Sequence, residues 1–191
     1  MMRSELEQKI QAARQEGRPI DVKDVERLDL SGLRASGLQA DAVHFKAVDL
    51  TNADLSGARL NEATMRECVL ERGNLAGAQL RMAAFYDVKA AQANFSQSEL
   101  GLGDFNRSNF SGATFDHAHV EDADFYGCDM QRAVLTHIGA HGAGFRECNL
   151  ANADLSYGDF RNADFRGSRL DGVNWGGATL DGAKFDKPID V

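Results

Sequence analysis

One periodicity decides what this chain can fold into. Every fifth residue from Leu30 to Phe185 is Leu, Phe, Met, Val, Trp or Ala, through thirty-two consecutive pentads without a break. The residue two before it is Ala, Gly, Ser, Cys or a small aliphatic in most pentads. A helix needs apolar residues about every 3.6 positions and a half-buried strand about every second one, so a strict five fits neither as a continuous element. A chain that turns a corner every five residues satisfies it, and self-similarity this strict outranks local propensity. Where the central residue shrinks to Ala the earlier one grows, as in Leu33 with Ala35, Leu38 with Ala40, Val88 with Ala90 and Ile138 with Ala140. The two positions therefore share one close-packed interior volume.

The clearest copies read Ala53-Asp54-Leu55-Ser56-Gly57, Ala123-Asp124-Phe125-Tyr126-Gly127, Ala153-Asp154-Leu155-Ser156-Tyr157 and Ala163-Asp164-Phe165-Arg166-Gly167. This pattern resembles the pentapeptide-repeat family. The resemblance implies an all-β solenoid: a right-handed quadrilateral parallel β-helix, four pentads to each square coil, with the central and small residues pointing inward. It covers residues 28–185, leaving 1–27 as an N-terminal helix with its connector and 186–191 as a tail. It does not fix a function, because one fold hosts many.

Four pentads per coil make a vertical repeat of twenty residues. At that spacing Phe45, Met65, Phe85, Phe105, Phe125, Phe145, Phe165 and Phe185 fall in one column. Such a column stacks rings at the inter-strand spacing of about 4.8 Å, and eight coils make a rod of about 38 Å. It is the expected structural core.

The ends are read from local signals. Residues 4–16 suit a short helix, with Ser4 and Glu7 as a capping box and Leu6, Ile10 and Ala13 on one face. Gly17 and Pro19 stop it. A lid is the expected role, since solenoid ends expose backbone and core; a partner-binding address is the alternative. At the far end, the 186–191 tail looks short against an apolar layer of Trp175, Leu180 and Phe185, and a homodimer through this end is expected.

No apolar run approaches the ~20 residues of a membrane span, and residues 1–17 lack the apolar centre of a signal peptide, so a cytoplasmic protein is expected. The formal charge of -8 argues against direct nucleic-acid binding, which is driven by Lys and Arg on phosphates.

Candidate chemistry is sparse. Cys68, Cys128 and Cys148 occupy the small inward position on one face and read as filler. Asp before the central residue and Gly at the fifth position are corner material. His117, His119, His137 and His141 cluster in the fifth and sixth coils, with His117 and His137 one above the other. They form a candidate metal site, against the simpler reading of exposed decoration. No nucleophile-and-base arrangement is visible, so neither an enzyme nor a cofactor is expected.

Sorting outward residues by face singles out the third, which carries the column from Ala40 to Leu180. It has seven acids, Asp41, Glu62, Glu99, Glu121, Asp122, Asp159 and Asp181, against Arg59, Arg81 and Arg161. Met82 and Leu102, one coil apart, make an exposed apolar pair inside this acidic wall. The expectation is a non-catalytic interaction rod that docks a protein partner through Met82, Leu102, Glu99, Glu121, Asp122 and Asp159. The resemblance implies a sharper alternative, a DNA-mimic rod that binds DNA gyrase or topoisomerase IV. A third reading is an adaptor or effector module beside bacterial secretion machinery, addressed by the N-terminal helix.

Overall fold

In the computed structural model, which describes residues 2–189, each pentad is a short extended segment followed by a two-residue corner. Four pentads close one square coil of a right-handed solenoid. The closure is read from parallel pairs twenty residues apart on each face: Asp29 with Asp49, Arg34 with Asp54, Gln39 with Arg59, and His44 with Thr64. Most faces are too narrow for more than one bridging residue per coil. On the fourth face the backbone stays extended longer in the early coils, giving strands β1 (Asp24–Glu26), β2 (His44–Lys46), β3 (Thr64–Arg66) and β4 (Ala84–Tyr86) in one parallel sheet of order β1-β2-β3-β4.

The corners explain the fifth-position residues. Leu33 N–H donates to Leu30 C=O at 3.0 Å across Ser31 and Gly32, and Gly32 has φ 67°. A turn with positive φ only at its third residue is type II, which favours Gly or Asn there. Carboxylates before the central residue brace these turns: Asp49 Oδ1 accepts from Thr51 N–H at 2.8 Å, and Asp154 Oδ1 from Ser156 N–H at 3.0 Å. Corners also bond to the corner above, as Gly32 N–H does to Thr51 C=O at 2.8 Å.

Inside, both expected positions are buried. Phe45, Met65, Phe85, Phe105, Phe125, Phe145 and Phe165 are all at most 4% exposed, while Phe185 is half-buried. Rings from Phe105 to Phe185 stack, with centroids 4.9 to 5.3 Å apart and planes within 21°. Phe85 departs from the expected ladder: it meets Phe105 edge-on, at 5.2 Å and 79°. Gly103 leaves the Phe105 ring its room, since a Cβ there would stand 2.5 Å from a ring carbon.

The three cysteines are free and buried, and they do more than fill space. Cys128 Sγ–H donates to Phe105 C=O at 2.6 Å and Cys148 Sγ–H to Phe125 C=O at 2.8 Å. Ser108 plays the same part beneath them, donating to Phe85 C=O at 3.5 Å and accepting from Val88 N–H at 3.1 Å. This column thus satisfies backbone groups at the corner after the fourth face. Burial raises all three thiols, Cys148 to about 12, which leaves them protonated and unreactive.

Helix α1 (Arg3–Glu16) begins one residue before the expected start. The Ser4–Glu7 capping box is not formed. Glu7 pairs with Arg3 at 2.8 Å instead, and Glu5 accepts from Met2 N–H at 3.4 Å. Leu6, Ile10 and Ala13 are buried, so the helix caps the core. It also caps backbone. The carbonyls of Ser31 and Arg34, which in later coils accept from the coil beneath, here accept from Arg3 Nη2 at 3.1 Å and Arg14 Nη1 at 3.3 Å. The 20–27 segment, expected as a connector, covers the remaining two faces: Ile20 N–H reaches Gln39 C=O at 2.9 Å, and β1 pairs with β2. Of the 186–191 tail, residues 190 and 191 lie outside the described residues.

Two outcomes follow. Phe105→Ala costs about 3 to 5 kcal/mol in equilibrium unfolding, whereas Asp129→Ala, which loses one turn bond to Gln131 at 3.1 Å, costs about 1 kcal/mol or less; equal costs contradict the register. Stability also falls in acid. Arg166 holds the Asp164 carboxyl down at about 2, and hydrogen bonds from Ser56 and Arg161 lower Asp54 and Asp159. Folded values below the unfolded value of about 3.9 give stability that is complete above that pH and lost as pH falls toward about 2. Melting temperature is therefore level from about pH 7 to 5 and drops below about pH 4, less steeply in Asp164→Asn. A rise on acidification contradicts this.

Candidate functional site

Left-handed corner positions put side chains where backbone geometry alone prefers none. Met82 (φ 57°) and Leu102 (φ 60°) occupy this position one coil apart at the corner between the third and fourth faces. An L-residue there costs roughly 1 to 2 kcal/mol relative to right-handed backbone, and neither side chain recovers it by burial. Met82 is 57% exposed and Leu102 51%. The same column continues with Glu62 below and Asp122 above, then Gly142. Met82 N–H bonds to Gly101 C=O at 3.1 Å and Leu102 N–H to Glu121 C=O at 3.0 Å, so the pair rides on a rigid ladder. Beside it lies a groove of ≈ 340 Å³ lined by Asn61, Glu62, Gln79, Arg81, Met82 and Glu99.

The structure brings together most of the residues singled out in the sequence. Glu99 lines the groove and pairs in register with His119, and Glu121 sits one rung above Gly101. Among the described residues Glu62, Glu99 and Asp122 make no ion pair, whereas Glu121 lies 3.2 Å from His119 Nδ1. Asp159 stands apart. It is three rungs above Glu99, about 14 Å along the rod, and Arg161 holds it through contacts of 2.8 and 2.6 Å. Asp41 is likewise paired with Arg59. Arg81, whose guanidinium lies over Gly101, also lines the groove and is not among the expected site residues.

The fourth face is charge-balanced by pairing, with Arg107 on Asp87 at 3.1 Å, Arg146 on Asp124 at 3.5 Å and Arg166 on Asp164 at 2.6 Å. Near Met82 and Leu102, by contrast, Glu62, Glu99 and Asp122 make no ion pair among the described residues.

The four histidines separate into two groups. His117 and His137 stack at the corner between the second and third faces, with centroids 4.6 Å apart and planes at 9°. Tyr157 continues the stack on His137 at 5.2 Å. His119 turns to Glu121, and His141 Nε2 meets Asn162 Nδ2 at 3.1 Å. Asp116, not singled out in the sequence, lies beside the stack, 3.4 Å from His137 Nδ1. A signal was there to read: Asp116 precedes His117, and twenty-residue stacking puts it under Thr136. Its carboxyl is lowered first by the hydrogen bond from Thr136.

Because Leu102 is half exposed at a left-handed position, Leu102→Asn leaves thermal stability unchanged or raises it by up to about 1 kcal/mol, since Asn tolerates left-handed backbone. A loss of more than about 1 kcal/mol gives Leu102 a structural role instead.

A family model described as the pentapeptide repeat region matches residues 39–115 and again 102–175. The chain superposes on a trypsin-treated form of QnrB1, a plasmid-mediated fluoroquinolone resistance protein, with a TM-score of 0.55 at 19% identity, over 86% of this chain and 90% of that one. It also aligns with HetL, a pentapeptide repeat protein involved in heterocyst differentiation regulation from the cyanobacterium Nostoc sp. strain PCC 7120, at 18% identity and a TM-score of 0.34, over 95% of this chain and 98% of that one. No curated protein sequence matches the chain. Thirty-two pentads, the square coil they build and the family match lead to one conclusion: the chain belongs to the pentapeptide-repeat family.

Proposed function

We propose that this protein is a non-catalytic rod that docks a protein partner on the corner carrying Met82 and Leu102. One observation carries the reading: two large apolar side chains stand more than half exposed at left-handed positions that cost the fold stability. An apolar pair rimmed by the charges of Glu62, Glu99, Asp122 and Arg81 has the make-up of an interface core with a polar rim. A rigid wall also lowers the ordering cost of association. No helix among the described residues is long and apolar enough to cross a membrane.

A second reading is binding to DNA gyrase or topoisomerase IV by imitation of duplex DNA. It is supported by the acidic third face, the net charge of -8 and a fold shared with QnrB1. The half-buried layer of Leu170, Val173, Leu180 and Phe185 supports a homodimer through that end of the rod. The adaptor reading, with α1 as an address, has less support, because the helix spends its apolar face and both Arg3 and Arg14 on capping.

A photo-activated cross-linking residue placed at position 102, and separately at Arg72 on another corner, tests the docking reading in cells. The expected result is one product of fixed mass from position 102 alone, lost on Met82→Glu. Equal products from both positions contradict it. Supercoiling assays with purified protein address the second reading: it predicts inhibition abolished by neutralising Glu121, Asp122 and Asp159 together, and no inhibition removes it.

A further inference from the structure

The corner between the second and third faces carries residues that the docking corner does not explain. Its left-handed column runs Gly37, Gly57, Gly77 and Gln97, and then changes to His117, His137 and Tyr157 before returning to Gly177. His117 (φ 56°) and His137 (φ 54°) replace the residue that takes this backbone freely with one that does not. Neither ring is buried in exchange, since the side chains are 54% and 47% exposed.

Coil stacking brings a third donor to the same spot. Asp116 Oδ1 lies 3.4 Å from His137 Nδ1, and Asp116 Oδ2 lies 4.0 Å from His117 Nε2. One ligand atom from each of the three residues falls within 4.8 Å of the others. Ligands of a tetrahedral ion with bonds of about 2.0 to 2.2 Å are separated by about 3.4 Å, so one contact is already at that spacing and the other two close with small movements. The lone pairs of stacked rings lie in parallel planes and cannot meet at one ion, so His117 must rotate toward Asp116. It meets no ring other than His137 among the described residues and is free to do so. His137 is held from behind by Tyr157, and Thr136 Oγ1–H fixes the Asp116 carboxylate at 2.5 Å. An outer partner of this kind orients ligands in metal sites.

We propose that Asp116, His117 and His137 form a surface site for a divalent transition-metal ion of the zinc, nickel or copper class. Two imidazoles and a carboxylate suit these ions over calcium or magnesium, which take oxygen ligands. Three protein ligands leave the remaining coordination positions to water or to a donor from another molecule. His119 and His141 take no part, because their partners are Glu121 and Asn162.

Isothermal titration of the full chain, stripped of metal, with zinc chloride at neutral pH tests the site. The expected result is one equivalent bound per chain, with affinity falling at least tenfold in His137→Asn and in Asp116→Asn. His119→Asn, which leaves the three ligands in place, retains the parent affinity. Asn suits the left-handed position, and unchanged thermal unfolding without zinc shows that each variant is folded. A zinc-dependent rise in melting temperature in the parent, absent from His137→Asn, gives a second readout. No saturable uptake, or uptake that survives both ligand substitutions, overturns the proposal.

Discussion

Closure of the coil after twenty residues is the constraint on which everything else depends. It is a backbone property. Each face gives parallel bonds such as Leu30 N–H to Asp49 C=O at 2.7 Å and Asp49 N–H to Leu28 C=O at 2.9 Å, and each corner adds one more to the corner above. With its backbone satisfied, a pentad keeps two side chains inside and sends three out, and every outward residue inherits a fixed height and face. A shift of one residue would carry the Phe column out into solvent and the corner residues into the core. Uniform register is therefore enforced by burial as well as by hydrogen bonding.

The ends of such a ladder leave the same groups unpaired, and the first coil shows how they are satisfied. Two arginines from α1 reach carbonyls on two faces, while Ile20 and β1 serve the other two. The helix is thus the first rung in chemical terms, although it is not a strand. The column of Ser108, Cys128 and Cys148 solves a smaller version of the same problem, where a hydroxyl or thiol meets a carbonyl from the coil below. The two proposed sites lie where this economy is broken. Most outward corner positions hold Gly or a polar residue, and the apolar pair at Met82 and Leu102 and the ring stack from His117 to Tyr157 stand out as side chains that the fold does not need.

Much of this was legible in the sequence, because a repeat with one residue per structural position turns a count into an address. The inward positions, the column from Phe45 to Phe185 and the vertical alignment of His117 with His137 all follow from counting in fives and twenties. What counting could not supply is rotamer and pairing. It placed Asp159 in the acidic patch, yet Arg161 holds that carboxylate and three rungs separate it from Glu99. It grouped four histidines, where side-chain partners divide them and add Asp116. The edge-on meeting of Phe85 and Phe105 and the start of α1 at Arg3 are likewise settled by neighbours rather than by periodicity.

Amide hydrogen exchange resolved by residue tests the closure most directly. In most pentads the central residue, the two before it and the second corner residue donate to backbone carbonyls, as Leu55, Ala53, Asp54 and Gly57 do, whereas Ser56 N–H bonds only to the Asp54 side chain, at 3.1 Å; at the corner after the fourth face Val88 N–H and Cys148 N–H turn instead to the Ser108 and Ser168 hydroxyls. Square closure predicts protection of period five through residues 50–165, with four slow amides and one fast one in most pentads. Protection that alternates every second residue, or runs unbroken along a face, would contradict the square coil and the placement of every surface residue derived from it.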